Sequence, residues 1–267
     1  MHRLLTLVLM LAVSGCTMFN AQPRAIRVLT YNIHAGKDAQ LVENLDRVAA
    51  IIDSTGADIV LLQEVDRRTQ RANRVDHFGE LRSRTGMHGV FGRSIPFQGG
   101  DYGIAVLSRW PIDSIAAVSL AVDAAQERAN YEPRSALHVL VRTPAGPLHV
   151  VNTHLDASGN SSYRRQELIA ALAHMKQNVP AGAALVFGGD LNARPATSEI
   201  AAVGFSLTDA FDTCGAGTGE TFPAHAPDRR IDYIFFRYAR CQAARVIATQ
   251  ASDHRPMLAI MEISGVR

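Results

Sequence analysis

Carboxylate, amide and imidazole side chains recur where the apolar stretches of this chain end. In the segment 184–195, ALVFGGDLNARP, an apolar run stops at Gly188 and Gly189 and then presents Asp190 and Asn192. Because side chains two apart on an extended chain point the same way, these two polar groups can face one ligand together. The glycines predict a sharp turn or a close approach to a ligand. The GDLN sequence alone is equally typical of an ordinary turn.

Polar residues at other strand ends form a set with this pair: Asn32, Glu64, His154, Asp190, Asn192, Asp232, Asp253 and His254. Two apolar stretches, 26–33 and 58–65, flank an amphipathic helix predicted over 41–54. A strand–helix–strand crossover brings both strand ends to one edge of a sheet. We therefore expect Asn32 and Glu64 to meet.

The oxygen donors in this set suit a hard divalent cation. Glu64 and Asn32 are ligands of the kind that magnesium takes, and manganese is an alternative. The sequence contains no GxSxG and no HExxH motif, and no cysteine beside a plausible histidine partner. A covalent nucleophile is therefore not indicated.

The remaining side chains suit hydrolysis of a phosphoester, which needs an oriented water and donors for the phosphoryl oxygens. We expect Asp190 to orient the water. Donors would be Asn192, His154 and His254. A histidine in this role needs a carboxylate that holds its tautomer, and Asp232 is the candidate partner of His254.

Further strands and one more helix complete the pattern. Strands are expected at 104–107, 136–142, 148–154, 230–236 and 256–263, and a second long helix at 163–179. Two long helices among roughly eight to ten strands indicate an α+β or layered α/β fold. A loop with Arg67, Arg68, Arg71 and Arg74 follows the second strand. It is either a solvated loop or a contact surface for phosphate or an anionic head group.

The N-terminal segment 1–16 is typical of an export signal, with a basic start and an apolar core at 4–13. Its end, VSGC, resembles the lipobox of bacterial lipoproteins, which predicts Cys16 as the lipidated first residue of the mature protein; an ordinary signal peptide is the alternative. Residues 17–25 are then interpreted as a tether. Thr17, and not an aspartate, follows Cys16, which by analogy with enterobacterial sorting suggests the outer membrane. We expect an exported protein, lipid-anchored in the bacterial envelope.

The length and the hydrophobic content of the chain indicate one domain over 26–267. We expect this domain to be a monomer. The chain has 267 residues, 47% of them hydrophobic, and a formal net charge of +2. A net charge this small does not indicate the basic surface with which strong nucleic-acid binders contact phosphates. Cys214 and Cys241 remain after Cys16, and export would let them form a disulfide; two buried thiols are the alternative.

Seven motifs occur in an informative order: TYNIH at 30–34, LQEVD at 62–66, YGIAVLSRWPI at 102–112, VNTHLD at 151–156, GDLNARP at 189–195, RIDYIFF at 230–236 and SDHRP at 252–256. As a set they resemble the endonuclease/exonuclease/phosphatase superfamily. The resemblance implies a four-layer αββα sandwich, with two mixed β-sheets flanked by helices. It also implies magnesium-dependent phosphoester cleavage without a covalent intermediate.

The resemblance assigns roles to residues around the expected metal. Glu64 is similar to the principal metal ligand, Asn32 to its supporting Asn, and Asp253 to a second ligand in some members. Arg134 matches a phosphate-contacting Arg. Asp101 lies where a deoxyribonuclease-like Glu would orient an active-site histidine.

The resemblance also covers the catalytic set. Asp190 matches the water-orienting Asp and Asn192 the phosphate-contacting Asn. His254 matches the terminal catalytic His, with Asp232 as its orienting carboxylate. His154 follows the deoxyribonuclease and sphingomyelinase branches.

Family resemblance fixes the bond type and leaves the substrate open. With its low net charge and expected membrane anchor, the chain is predicted to cleave small or lipid-linked phosphoesters, as a phosphodiesterase or phosphatase. An extracytoplasmic DNA or RNA endonuclease is the alternative. A catalytically silent binding lipoprotein is a second alternative, which the intact set of polar residues disfavours.

Overall fold

A computed structural model describes residues 25–123 and 131–263. The predicted signal segment, Cys16 and most of the tether lie outside the described residues. None of the helices in the described ranges combines the length and the apolar character needed to cross a membrane.

The first sheet has seven strands and contains both ends of the predicted crossover. Its strands are β1 (Ile26–Asn32), β2 (Ile59–Arg67), β3 (His88–Phe97), β4 (Gly100–Ser108), β10 (Gly215–Ala216), β12 (Ala239–Val246) and β13 (Met257–Ile263). Their order across the sheet is β10-β12-β13-β1-β2-β4-β3. β1 and β2 are parallel, with Asn32 opposite Gln63, so Asn32 and Glu64 emerge at the same edge.

The second sheet has six strands and carries the other half of the polar set. Its strands are β5 (Ile112–Leu120), β6 (Arg134–Thr143), β7 (Gly146–His154), β8 (Leu185–Asp190), β9 (Thr208–Asp209) and β11 (Asp232–Arg237), in the order β5-β6-β7-β8-β11-β9. Parallel pairing places His154 opposite Asp190. Antiparallel pairing places Asp232 opposite Asp190 on the other side. Three predicted site residues thus form one row across three strands.

Four helices of the described ranges cover the outer faces of the two sheets, and a short fifth helix packs against the apolar cluster between them. They are α1 (Leu45–Thr55), α2 (His77–Thr85), α3 (Ser162–Asn178), α4 (Ser198–Gly204) and α5 (Ala210–Cys214). One apolar cluster joins α1 and α2 to the first sheet, and another joins α3 and α4 to the second. A third lies between the sheets. This is the layered α/β sandwich that the sequence predicts, and the four layers αββα are confirmed.

Helix α1 begins later than its hydrophobic pattern predicts. The sequence places its start at residue 41, but Leu41 has a φ of 64° and lies in a turn. The Asp38 carboxylate accepts hydrogen bonds from the backbone N–H groups of Gln40 and Val42, which holds this turn. Leu41 and Val42 are exposed, so their apolar character was misleading about the helix start.

The two glycines before Asp190 lie inside β8 and do not form a turn. A Cβ atom at Gly188 would collide with the carbonyl oxygen of Tyr233 on β11. A Cβ atom at Gly189, whose φ is 134°, would collide with the carbonyl oxygen of Thr153 on β7. The strand therefore continues to Asp190, and the glycines allow close approach of the neighbouring backbones.

A β-bulge in β2 turns Glu64 toward the polar edge. The register with β4 shifts between Leu62 and Val65, and Glu64 has a φ of 56°. Such a conformation is uncommon for a non-glycine residue and clusters at functional sites. The bulge interrupts the alternation of side chains between the two faces of the strand. Since the sequence around Glu64 is that of an ordinary buried strand, it does not predict the bulge.

Asn152, from the second sheet, satisfies the backbone around this bulge. Its Nδ2 donates to the carbonyl oxygens of Leu62 and Ala105, both at 2.9 Å. Its Oδ1 accepts a 2.7 Å hydrogen bond from Gln63 Nε2. Asn152 and Gln63 are fully buried. The position of Glu64 thus depends on a polar link between the two sheets.

A disulfide joins Cys214, at the end of α5, to Cys241 on β12, with Cα atoms 6.0 Å apart. This is the predicted pair. Replacing both cysteines with serine should lower the free energy of unfolding by about 3 kcal/mol, because the bond restricts the unfolded chain. Urea unfolding of the variant and of the wild type, with and without reductant, measures the difference. Identical curves in all conditions would contradict a stabilising disulfide.

Candidate active site

One oxygen atom lies at the centre of the polar edge. Oδ2 of Asp190 accepts a hydrogen bond from Asn32 Nδ2 at 3.1 Å. It lies 3.5 Å from His154 Nε2 and 3.6 Å from His254 Nε2. The other oxygen, Oδ1, accepts from the backbone N–H of Asn192 at 2.9 Å. The structure therefore brings four predicted site residues together around the buried carboxylate of a fifth, Asp190.

Asp232 orients His254. Its Oδ2 lies 2.9 Å from His254 Nδ1, and both residues are buried. Oγ1 of Thr221 accepts hydrogen bonds from the backbone N–H groups of Ile231 and Asp232, which fixes the start of β11. The imidazole consequently directs Nε2 toward Asp190, as the sequence predicts.

Burial and neighbouring charges shift the pKa values of these groups. Burial, reinforced by the charge of Asp232, raises the pKa of Asp190 to about 7. Burial alone would lower the pKa of His254, but the carboxylates of Asp232 and Asp190 raise it to about 10. His254 is therefore a cation at neutral pH, while Asp190 has the proton affinity of a base that works near neutrality.

His154 and Asn192 form a pair of donors beside Asp190. Nη1 of Arg134 lies 3.1 Å from His154 Nδ1, and since a guanidinium only donates, Nδ1 accepts and Nε2 carries the proton. Burial, with the charge of Arg134, keeps the pKa of His154 well below its usual value. Asn192 Nδ2 donates to Leu155 O and lies 3.2 Å from His154 Nε2. Two adjacent donors cannot bond to each other, so both can share an acceptor such as a phosphoryl oxygen.

Asp101 does not take the position expected from the resemblance. Its Oδ1 accepts a 3.3 Å hydrogen bond from Arg93 Nη1 on the neighbouring strand β3. Nδ1 of His154 contacts Arg134 instead of a carboxylate. Arg134 is buried and lines the cavity described below, a location compatible with a phosphate contact.

The arginine-rich loop after β2 uses most of its charge within the protein. It contains Arg67, Arg68, Arg71 and Arg74. Arg67 pairs with Asp76, and Arg71 forms two hydrogen bonds with Asp66 at 2.6 and 2.9 Å. Arg74 donates to three backbone carbonyl oxygens. Of these four arginines only Arg71 lines the cavity, so the loop as a whole is not part of the cavity wall.

The match of residues 29–254 to the family model identifies this arrangement as that of the Endonuclease/Exonuclease/phosphatase family. The chain belongs to this family. Members are typically hydrolytic phosphoesterases that depend on divalent metals, and the family includes phosphatases and nucleases.

Relatives of this chain include the uncharacterized protein YbhP of Escherichia coli K12. It is 29% identical over 257 residues, covering 89% of this chain and 96% of that protein. A family member from Beutenbergia cavernae has a crystal structure with a TM-score of 0.75 and 26% identity, covering 90% of this chain and 72% of that one. A mannosyl-6-phosphatase of Bacteroides thetaiotaomicron shares the fold, with a TM-score of 0.73, 17% identity and coverage of 88% and 99%.

Two groups of residues in this family member suit a divalent cation. Within the described residues, Asp190, Asp232 and His254 offer ligand atoms that all lie within 4.8 Å of one another. The Nδ1 atom of His254 is bonded to Asp232, so Nε2, which lies 3.6 Å from Asp190 Oδ2, is the ring nitrogen left for a ligand. Glu64 and Asp253 are half-buried carboxylates that line the same cavity, and hard oxygen donors are what magnesium prefers.

Asn32 joins the carboxylates at this polar edge, and its side-chain oxygen is already bonded within the protein. Its Nδ2 donates to Glu64 Oε1 at 3.0 Å as well as to Asp190. Its Oδ1 accepts from the backbone N–H of His34. The predicted meeting of Asn32 with Glu64 is observed, and the amide links the carboxylates of the two sheets.

Replacing Glu64 with glutamine should raise the magnesium concentration needed for half-maximal activity by about tenfold or more, since a neutral amide binds a hard cation more weakly. Saturating magnesium should restore part of the rate. Titration of activity with magnesium measures the shift. Glu80→Gln, a change at an ion-paired residue on α2, is the matched control. If the magnesium titration curve of Glu64→Gln is the same as that of the wild type, Glu64 does not bind the metal.

The site opens into a cavity of about 960 Å³. Sequence reasoning missed several of its lining residues: Tyr102, Glu132, Arg164, Glu199, Phe222 and Arg229. Tyr102 lies within β4, and the others come from loops and helix starts, so none of them follows the strand-end pattern. Phe222 packs on His254 with ring centroids 4.7 Å apart. Ser252, which was also missed, donates to the carbonyl oxygen of Asn32 at 2.8 Å.

Glu167 supports the cavity wall from behind. It is buried on α3, and its carboxylate accepts from Tyr131 Oη and from the backbone N–H of Asp156. Burial raises its pKa to about 7. Because the folded protein binds this proton more tightly than the unfolded chain, the stabilisation is present at acidic pH and is lost as the pH rises toward about 7.

Glu167→Gln should therefore flatten the pH dependence of the free energy of unfolding between about pH 4.5 and 7. The glutamine oxygen retains an acceptor but cannot ionise. The difference between the two proteins should change by up to about 3 kcal/mol across this window. Urea unfolding at several pH values measures it, with Glu262→Gln as the control. Parallel curves for Glu167→Gln and wild type would contradict the assignment.

Proposed function

We propose that this protein is a magnesium-dependent hydrolase of phosphoester bonds, a phosphodiesterase or phosphatase that acts on small or lipid-linked substrates. The observation that carries the proposal is the position of Asp190 Oδ2, within 3.6 Å of His154, His254 and Asn32. A buried base beside several N–H donors, at the base of an open cavity, matches the needs of in-line attack by water.

In this proposal Asp190 orients the attacking water and accepts its proton as the new oxygen–phosphorus bond forms. The bond between phosphorus and the alcohol oxygen breaks on the opposite side, and the alkoxide takes a proton from solvent as it leaves. Nε2 of His154 and Nδ2 of Asn192 donate to a phosphoryl oxygen. The His254 cation, held by Asp232, stabilises the negative charge that develops on the phosphoryl group.

The divalent cation, when bound, would neutralise charge on the phosphoryl and leaving oxygens. Glu64 and Asp253 would hold it, and Asn32 would keep Glu64 in place. This arrangement explains why Glu64 sits on a bulge in one sheet while the base lies on the other.

Charge supports small or lipid-linked substrates over duplex DNA. Productive duplex binding draws on several phosphate contacts from a basic face. The net charge is only +2, and Arg67 and Arg71 are bonded to aspartates. We further propose export and lipidation at Cys16, which would place the enzyme near lipid substrates. Loss of envelope fractionation in Cys16→Ala tests this part.

Hydrolysis of aryl and natural phosphoesters tests the proposed function. The domain is incubated with p-nitrophenyl phosphate, bis-p-nitrophenyl phosphate, phospholipid vesicles and supercoiled plasmid, with magnesium or manganese and then with EDTA. We expect metal-dependent release from the small or lipid substrates at higher efficiency than plasmid nicking. Efficient nicking of the plasmid, without hydrolysis of the small or lipid substrates, would indicate a nuclease instead. No turnover of any substrate would favour a binding role.

A further inference from the structure

Three histidines outside the catalytic cavity form a connected cluster on the outer face of the second sheet. His138 lies on β6, His149 on β7 and His174 on α3. Nδ1 of His138 lies 3.1 Å from His174 Nε2, and its Nε2 lies 2.9 Å from His149 Nδ1. None of the three is among the described residues that line the cavity of Asp190. The cluster therefore joins the second half of α3 to two strands, through contacts that the proposed hydrolysis does not use.

A backbone carbonyl fixes the direction of the hydrogen bonds in this cluster. Nδ2 of Asn178 lies 2.9 Å from the carbonyl oxygen of His174, so this atom is the amide nitrogen and a donor. It also lies 3.2 Å from His174 Nδ1, which must accept. His174 then carries its proton on Nε2 and donates to His138 Nδ1, and His138 in turn donates from Nε2 to His149 Nδ1. Each neutral ring thus accepts at Nδ1 and donates from Nε2.

Added protons disrupt this chain of hydrogen bonds. A proton on His174 would go to Nδ1, on the solvent side, and would leave the bond to His138 intact. A proton on His138 or His149 would also go to Nδ1, where the neighbouring ring already directs an N–H group. Two donors would then face each other and one hydrogen bond would be lost. The folded cluster accommodates one proton at its outer end, whereas three separate histidines in an unfolded chain take three.

Burial and neighbouring charges oppose protonation of all three rings. Burial, with repulsion from the two neighbouring imidazoles, lowers the pKa of His138 to about 4. Burial lowers the pKa of His149, and the cation of Arg237 on β11 adds to this effect. Burial also lowers the pKa of His174. Because the unfolded histidines titrate near 6.5, the stability that the cluster contributes is present above that pH and is lost as the pH falls toward about 4.

The second half of α3 is incompletely packed, which makes it sensitive to such a loss. A second cavity, of about 360 Å³, is lined there by Leu172, Met175 and Val179, together with Leu207 after α4. The first half of α3 responds to acid in the opposite sense, because its buried Glu167 binds a proton more tightly in the folded protein. A segment beside a void opens locally at a lower free-energy cost than a fully packed one. Acid should therefore act on one half of this helix.

We propose that His138, His149 and His174 form an acid-sensitive latch, which fastens the second half of α3 to the second sheet at neutral pH and releases it in acid. Release exposes the apolar side chains that line the second cavity. The catalytic cavity, which is lined by the first turn of α3, keeps its wall. The latch is a property of the fold and does not depend on the reaction at phosphorus.

Hydrogen exchange at pH 7.5 and pH 4.5 tests the latch. After correction for the intrinsic pH dependence of exchange, peptides covering 172–178 should lose protection by about 50-fold or more at pH 4.5, the change expected when one pKa of about 4 returns to 6.5. Peptides covering 162–168 and α1 should keep their protection within about threefold. Unchanged protection at 172–178 would overturn the proposal. An equal loss in α1 would indicate global acid unfolding and would also contradict it.

Substitution of the central histidine gives the matched comparison. In His138→Leu the protection of 172–178 should no longer depend on pH, since leucine cannot take a proton. His88→Leu, at an exposed histidine on β3, is the control and should behave as the wild type does. A folded His138→Leu protein that still lost this protection in acid would contradict the latch. If His138→Leu does not fold, His149→Gln decides: a pH effect as large as that of the wild type overturns the proposal.

Binding of the dye ANS measures the exposed apolar surface directly. The fluorescence of ANS with the wild type should rise as the pH falls from about 6.5 to 4, while the β-sheet signal in circular dichroism is retained. His88→Leu should show the same rise, and His138→Leu should show less than about a third of it. A rise of equal size in His138→Leu, or a rise that accompanies loss of the β-sheet signal, would contradict local release of α3.

Discussion

Replacing Asp190 with asparagine should lower kcat by about two to four orders of magnitude, the range in which positioned bases and electrostatic groups act. Asparagine has nearly the same shape as aspartate but cannot accept the proton of the attacking water. The carboxylate is buried, and burial raises its pKa to about 7, so loss of the charge should not destabilise the fold.

Measurement of kcat at saturating substrate and magnesium, together with thermal unfolding, separates catalysis from stability. Asp46→Asn, a change at an exposed aspartate on α1, is the matched control. An Asp190→Asn enzyme that retained more than about a tenth of the wild-type kcat would exclude Asp190 as the base.

His254→Ala should also lower kcat by about two to four orders of magnitude. The substitution removes the cation that faces Asp190 and leaves Asp232 buried without its partner. Since neighbouring carboxylates raise the pKa of His254 to about 10, wild-type activity that depends on this cation should decline only as the pH rises through that value. A pH–rate profile of the wild type and the kcat of the variant provide the measurements.

His88→Ala, at an exposed histidine on β3, is the control for this change. Because the buried Asp232 could destabilise His254→Ala, the double variant His254→Ala/Asp232→Asn is also measured. A double variant that folded like the wild type and kept most of its activity would show that the pair has no catalytic role.

Local patterns in the sequence predicted the row of site residues. The apolar strands that end at His154 and Asp190 were evident from the sequence, and the structure shows that they pair in parallel across the intervening helix α3. The pairing of Asp232 with His254 was predicted from the need of a catalytic histidine for a carboxylate, and the resemblance agreed with it, although 22 residues separate the two and no periodicity connects them. The end of a strand is therefore predictable from the sequence when the strand is fully buried, because its apolar run stops where the strand stops.

Partner choice among charged residues was not predictable. The sequence left the arginine loop as either a solvated loop or an anion-binding surface, and it did not show that Arg67 pairs with Asp76 and Arg71 with Asp66. The role expected for Asp101 was wrong for a related reason, since its carboxylate pairs with Arg93 on the neighbouring strand β3. Side-chain pairing depends on three-dimensional register, which a charge pattern along the chain does not contain.

The bulge at Glu64 was hidden for a different reason. It interrupts an apolar run that reads as an ordinary buried strand. Its backbone groups are satisfied by Asn152, which is 90 residues away from Leu62 and belongs to the other sheet. Only the folded structure shows that the buried Asn152 side chain donates to backbone carbonyl groups beside the bulge.

The link through Asn152 makes the order of folding relevant to activity. Asn32 and Asp190 are 158 residues apart, and Ser252 contacts Asn32 across 220 residues. Contacts of such long range form slowly, because the chain must close large loops before they contribute stability. Neither sheet contains both Glu64 and Asp190, so a half-folded chain has no complete site. Recovery of hydrolysis during refolding should therefore coincide with closure of the sandwich, later than the recovery of helical circular dichroism.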